Sequence, residues 1–255
     1  TVNTIRNTKF ETTFTGEVGL RGNYSTIFNY AMEVSPVDES NLNQSLIIVT
    51  PNTIDYGGIT EMWTDGSAIA FCPLSEDSYP YDARGIIQHE AGGHGFGKLG
   101  DEYIYHNTFI DFCDCTCCEH VFEFNIAKSL GWYENLSLTG KMHEVPWSHL
   151  IFDDRYSDVV DIYEGGFMHA RGVFRSEQNS CMNNNISYYN AISREAIVKR
   201  IMEYAGESYS FEKFVENDKR DAVNSLSRSA ERPGVTVRGN QYAPRIHKGK
   251  PDILK

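Results

Sequence analysis

Two histidines, a glutamate and an acidic pair crowd into the stretch HEAGGHGFGKLGDEY, which runs from His89 to Tyr103. Imidazole and carboxylate are ligands of hydrolytic zinc, a metal that takes three protein groups and keeps a fourth position open for water. In the usual H-E-x-x-H motif the histidines sit one helical turn apart, and the glutamate between them is the general base. Here His89 and His94 are five residues apart, with Gly92 and Gly93 between them. On a regular α-helix an i,i+4 pair diverges by about 40°, whereas an i,i+5 pair diverges by about 140°. One π-bulge absorbs a single extra residue and restores a common face. Two glycines lower the cost of leaving regular geometry. The spacing therefore predicts a helix that widens over residues 91–93.

Glu90 occupies the general-base position, where a carboxylate takes a proton from metal-bound water and later delivers it to a leaving amine. Gly95 and Gly97 can end the helix and turn the chain back. Asp101, seven residues past His94, is then the best-placed third ligand, with Glu102 and His106 as alternatives.

With these residues in hand, the chain resembles the IgA-peptidase-type metallopeptidases, a branch of the metzincin-like zinc enzymes. That family carries H-E-x-x-H-x-x-G-x-x-x-D-E. From His94 onward the match is in register, with Gly97 at the glycine position and Asp101 and Glu102 as the acidic pair. DYGGI, VPWSHLI, YEGGFMHARGVFRSEQNSCM and SREAIVKRI look like family blocks in the expected order, so the likeness spans roughly residues 45 to 205. The inserted glycine departs from the family, but HEAGGHGFGKL is similar to the H-E-x-x-G-H stretch of dipeptidyl-peptidase III, which tolerates the extra residue. The resemblance implies an α/β (α+β) metzincin-like catalytic domain. Its upper part, residues 1–100, would hold a twisted mixed sheet and the metal helix. Its lower part, residues 101–255, would be mainly helical and irregular and carry a methionine turn. It also implies one catalytic Zn2+ held by His89, His94 and Asp101, a turn built on Met182, a protein or peptide substrate, and a secreted or cell-surface bacterial enzyme. A catalytically inactive binding module on the same fold is the alternative that the inserted glycine suggests.

Other groups carry weaker chemistry. Arg175, Tyr188 and Tyr189 lie near Met182 in sequence and are candidates to steady a substrate carbonyl or oxyanion, with core packing as the default for the tyrosines. The acidic run with Asp153, Asp154, Asp158, Asp161 and Glu164 has oxygen ligands suited to Ca2+ but lacks EF-hand spacing, so it reads as a solvated loop. Four of the six cysteines, Cys113, Cys115, Cys117 and Cys118, fall in CDCTCCEH. Disulfides within this run, or from it to Cys72 or Cys181, are favoured over a second metal site with Glu119 and His120. A redox protein built on the run is a third option, distinguished by activity indifferent to chelators.

The elements that must position these groups can be outlined from pattern. STIFNYAMEV alternates like a half-buried strand, and SLIIVT reads as a strand covered on both faces. GGITEMWTDGSAIAF reads as a hairpin turning at Asp65-Gly66, with GSAIAF offering an edge to an extended substrate. Asp82 caps the helix that carries His89. Past Tyr103 the sheet signal fades, and helices are expected over HVFEFNIAKSLGW, ISREAIVKRIMEYAG (capped by Ser193) and SFEKFVENDK. The tail from Ala222 reads as extended and surface-bound. The 255 residues, 15 Tyr and 14 Phe among them, suit one ordered domain, and the net charge of −12 argues against nucleic acid and anionic membranes. No segment has the length of a transmembrane helix.

Overall fold

The computed structural model describes residues 8–15, 19–111, 117–219 and 243–253, with the side chains of residues 117–119 outside that description. Its centre is the Asp65-Gly66 hairpin. Strand β4 (Ile59–Trp63) pairs antiparallel with β5 (Ala68–Phe71), and Gly66 takes the positive φ of +103° that the turn needs. Side chains alternate across these strands. Ile59, Trp63, Ile69 and Phe71 face one side, where Leu20, Ile27, Phe28 and Leu42 meet them. Met62, Ala68 and Ala70 face the other side.

The first face is covered by α1 (Tyr24–Ala31), which occupies the stretch expected to be a strand. Asn23 accounts for the difference, since its side chain accepts from the Thr26 amide and nucleates a helix. The apolar spacing that counts is Tyr24, Ile27, Phe28 and Ala31, a helical stripe. The alternate residues Tyr30 and Val34, read as an inward strand face, are exposed.

Two more strands complete the sheet in the order β10-β4-β5-β3. β3 (Leu46–Val49) pairs parallel with β5 at one margin. It is not covered on both faces as expected, because Leu46 and Ile48 are exposed. β5 has β4 on one side and β3 on the other, so the expectation that GSAIAF offers a free edge is overturned.

β10 (Arg245–His247) comes from the C-terminal segment and pairs parallel with β4. The buried Glu61 carboxylate anchors it, accepting from Arg245 Nη1 at 2.6 Å, His247 Nε2 at 2.7 Å and Tyr24 Oη at 2.8 Å. This part of the tail is thus a strand of the N-terminal sheet.

The second half of the chain also contains a sheet, contrary to the faded strand signal. β9 (Met168–Arg175) pairs parallel with β6 (Ile104–Phe109) and antiparallel with β7 (Leu136–Ser137) and β8 (Tyr163–Gly166). Two register shifts in the β6–β9 pairing and polar outward residues had hidden the alternation. A separate small hairpin joins β1 (Thr13–Thr15) to β2 (Gly19–Arg21).

The helices fall closer to expectation. α2 (Ala83–Ile87) is capped by Asp82. α3 (Cys117–Ser129) stops before Gly131 at φ +73°, and α7 (Phe211–Asn217) is capped by Ser210. α4 (Ser148–Ile151) and α5 (Cys181–Asn184) are single turns. α6 (Ala191–Ala205) ends on Gly206 as expected, but its cap is Asn190 rather than Ser193. Its buried positions are Ala191, Ile192, Ser193, Glu195 and Ala196, all in its N-terminal half, whereas Ile201 is exposed. Among the described residues no helix is long and apolar enough to cross a membrane.

Arg245→Met should lower unfolding stability by roughly 1.5–3 kcal/mol, the range for a hydrogen bond to a charged group, because the buried Glu61 keeps only His247 and Tyr24. Urea titration checks this, and Glu61→Gln in the same chain should recover part of the loss.

Candidate metal centre

α2 runs straight on into a π-helix from Gln88 to Phe96. The chain bonds i to i−5 where it must, with the Gly97 amide donating to the Gly92 carbonyl at 2.9 Å. The expected widening over residues 91–93 lies inside this element. It brings His89 and His94 onto one face, with Nε2 atoms 3.2 Å apart and rings edge to face.

Glycine is needed here for space as well as for flexibility. A Cβ on Gly93 would collide with Met182 Sδ, and one on Gly92 would collide with the Tyr189 hydroxyl.

Beyond Phe96 the chain reverses. Lys98 adopts a left-handed φ of +51°, and the Leu99 amide donates to the Gly93 carbonyl at 3.0 Å. Asn135 clamps the returning loop by accepting from the Gly100 amide at 2.9 Å and donating to the Gly100 carbonyl at 2.8 Å. Asp101 is thereby fixed, with Oδ1 3.0 Å from His89 Nε2 and 3.1 Å from His94 Nε2.

The three groups are buried, offer one ligand atom each within 4.8 Å of one another, and could hold a metal ion. Three features fit a cation. The other nitrogen of each histidine faces a carbonyl, His89 Nδ1 that of Cys181 at 2.9 Å and His94 Nδ1 that of Leu99 at 2.7 Å. A carbonyl accepts, so Nδ1 carries the proton and each Nε2 turns a lone pair inward. Asp101 Oδ2 is buried without a hydrogen-bond partner.

Electrostatics agree. Burial opposes the charge on Asp101, but the His94 and His89 imidazoles outweigh it and hold the carboxyl at about 2. Burial alone would lower His89, yet its hydrogen bonds to Asp101 and Cys181 raise it well above the ordinary imidazole value. A proton therefore competes for the seat a metal would take.

Glu90 lies beside the ligands. Its Oε2 accepts from Thr60 Oγ1 on β4 at 2.9 Å, and burial raises its carboxyl. Gly58 permits this approach, since a Cβ there would stand 2.6 Å from Glu90 Cγ. Glu90 and His89 line a cleft of about 10 Å3 with Tyr56, Gly58, Tyr103 and Asn185, room for about one water.

Glu102 is not with the ligands. It accepts from Asn135 at 2.8 Å, from Asn190 at 2.7 Å and from the Ser180 hydroxyl, and its own amide donates to the Met182 carbonyl at 2.8 Å. It ties the loop carrying Asp101 to the turn carrying Met182. His106 sits instead in β6, beside His169.

The candidate substrate groups have other partners. Arg175 is buried and donates to the Glu164 and Gly165 carbonyls. The Tyr188 hydroxyl donates to Glu177, and that of Tyr189 to the Gln88 carbonyl. In the acidic loop Asp153 pairs with Arg155, and Glu164 accepts from the Gly172 amide. Among the described residues these acids form no metal-holding group.

Asn135, Asn190, Thr60 and Tyr103 had no motif to mark them. Tyr103 stacks on His89 with ring centroids 6.2 Å apart, and only its place after the acidic pair could have pointed to it. Cys72 and Cys181 are buried free thiols, so neither is tied to the cysteine run, which itself lies outside the described side chains. No protein-family model matches the chain, and no curated protein is significantly similar to it in sequence.

Gly93→Ala should weaken metal binding at least tenfold and cost roughly 1–3 kcal/mol of stability through overpacking. Helix propensity alone predicts a gain of about 1 kcal/mol, so the sign discriminates. Metal titration of Gly93→Ala and of Gly93→Ala with Met182→Ala checks the contact, the second change being expected to restore binding.

Proposed function

We propose that the chain is a zinc-dependent peptidase of metzincin-like fold, akin to the IgA-peptidase type, acting on proteins or peptides outside the bacterial cell. The convergence of His89, His94 and Asp101 on one point, with Glu90 beside it, carries this proposal. Two imidazoles and a carboxylate form a ligand set used by catalytic zinc. Zinc bound there would supply Lewis acidity and a water of lowered pKa.

The chain's own residues do the rest. Glu90 accepts the proton of the attacking water, and its burial favours the protonated form that then serves as acid toward the departing amine. Thr60 holds Oε2, which orients the carboxylate. Cys181 and Leu99 keep both ligating histidines in the tautomer that leaves Nε2 unprotonated. Cleavage in the interior of a chain, rather than from its end, is the proposed mode. The inactive binding module has less support, because its motive was a misplaced His94, and the π-helix brings His94 to His89.

Glu90→Gln should retain zinc and lose roughly 10²–10⁴-fold of the hydrolysis of unfolded casein, the range ascribed to general acid–base catalysis. Metal analysis beside a gel assay checks both halves. Unchanged activity in this variant would sink the mechanism, and failure of the wild type to bind zinc on reconstitution would favour the binding module.

Zinc affinity should fall about tenfold or more per pH unit once the medium is acid enough to keep His89 protonated, because binding must expel that proton. Calorimetry in buffers of different ionisation enthalpy should show proton release on binding. An affinity flat between neutral and mildly acid pH would contradict the raised His89.

A further inference from the structure

The apolar stripe expected on α6 is not fully used by the core. Ile197, Val198 and Met202 share one face of that helix and are only half-buried. They form a wall of a cavity of about 540 Å3, completed by Tyr189 ahead of the helix, Tyr209 in the loop after it and Phe214 on α7. Sites for small organic ligands have volumes of this order and walls of this kind. The cavity shares no lining residue with the cleft beside Glu90. Two of its wall residues rest on the π-helix instead. The Tyr189 hydroxyl donates to the Gln88 carbonyl, and a Cβ on Gly97 would stand 3.0 Å from Ile197 Cγ1.

Four charged side chains also line it: Arg194, Glu207, Lys213 and Asp218. Two of these satisfy each other, since Arg194 donates to Asp218 through Nε at 2.6 Å and through Nη2 at 2.7 Å. Lys213 and Glu207 are exposed, and neither has an ion pair among the described residues. An exposed lysine or glutamate needs no explanation by itself. Here one charge of each sign borders an apolar hollow whose other two charges are already paired.

That pattern selects the occupant. A neutral hydrocarbon would use neither charge. A fatty carboxylate would answer Lys213 but bring a like charge to a cavity that Glu207 also lines. A short peptide with free ends has an ammonium for Glu207, a carboxylate for Lys213 and side chains for the walls. At roughly 30 Å3 per water, the cavity has the volume of about 18 waters. A dipeptide of two leucine-sized residues has about that many heavy atoms.

We propose that the cavity between α6 and α7 binds short apolar peptides with free termini, of about the size of Leu-Leu, with Glu207 meeting the ammonium and Lys213 the carboxylate. The site uses no metal and no residue of the cleft beside Glu90, so it stands or falls apart from the peptidase proposal.

The test is calorimetric titration of Leu-Leu into the full chain with a chelator present. Saturable binding to one site is expected. Acetyl-Leu-Leu and Leu-Leu amide should each bind roughly two- to fivefold more weakly, the range of an exposed ion pair. Glu207→Gln should erase the difference between Leu-Leu and its acetyl form, and Lys213→Met the difference between Leu-Leu and its amide. Val198→Trp, which fills the hollow, should abolish binding. Should that variant fail to fold, the two exposed charge changes still decide the matter. The absence of saturable binding in the millimolar range would overturn the proposal. So would binding that survives Val198→Trp unchanged, binding indifferent to both charge changes, or octanoate binding more tightly than Leu-Leu.

Discussion

Everything at the centre depends on accommodating one extra residue between two histidines that could hold a metal ion. A regular helix would send His94 away from His89, and the π-helix over Gln88–Phe96 prevents this by widening the turn between them. The widening needs Gly92 and Gly93, which let Tyr189 and Met182 press against the helix backbone. The turn carrying Met182 in return supplies the Cys181 carbonyl that orients His89 and the Met182 carbonyl that receives the Glu102 amide. One four-residue turn thus steadies a ligand, the helix between the ligands and the loop bearing the third. A side chain at Gly93 would disturb all three, which is a stronger constraint than helix propensity alone.

Three carboxylates are buried between His89 and Tyr103 in the chain, and each is stabilised differently. Asp101 relies on the two imidazoles and stays ionised. Glu102 has three side-chain donors, which act against the burial that raises it, so its work is to hold loops together. Glu90 has a single side-chain donor, Thr60, and burial raises it. That ordering gives the three acids different environments: Asp101 keeps its charge beside two imidazoles, Glu102 is held by many bonds, and Glu90 is raised by burial with one side-chain donor.

The sequence showed the candidate metal centre better than it showed the fold. His89, Glu90, His94 and Asp101 were legible because chemistry fixes their types and their spacing. The widened turn followed from angular arithmetic on one insertion, and the hairpin at Asp65-Gly66 from turn chemistry. What failed was alternation read without caps: STIFNYAMEV looked like a strand until Asn23 is seen to nucleate a helix. The second sheet was hidden because β6 is half polar and interrupted by register shifts. Asn135 and Asn190 could not be found at all, since their work depends on partners 33 and 88 residues away from them in the chain. Local physics is written locally, whereas a clamp is visible only once the loops it joins have met.

Two residues from different parts of the chain meet in the lining of the cleft beside Glu90. Asn185, in left-handed conformation at φ +59° just after the turn carrying Met182, donates to the Tyr56 hydroxyl at 3.2 Å. The Tyr56 ring in turn packs edge-on against Tyr81. A single neutral hydrogen bond contributes about 1 kcal/mol net, a small barrier beside the buried network of Glu102 below it. The three groups that could hold a metal thus lie beside a cleft whose lining is joined by one neutral hydrogen bond.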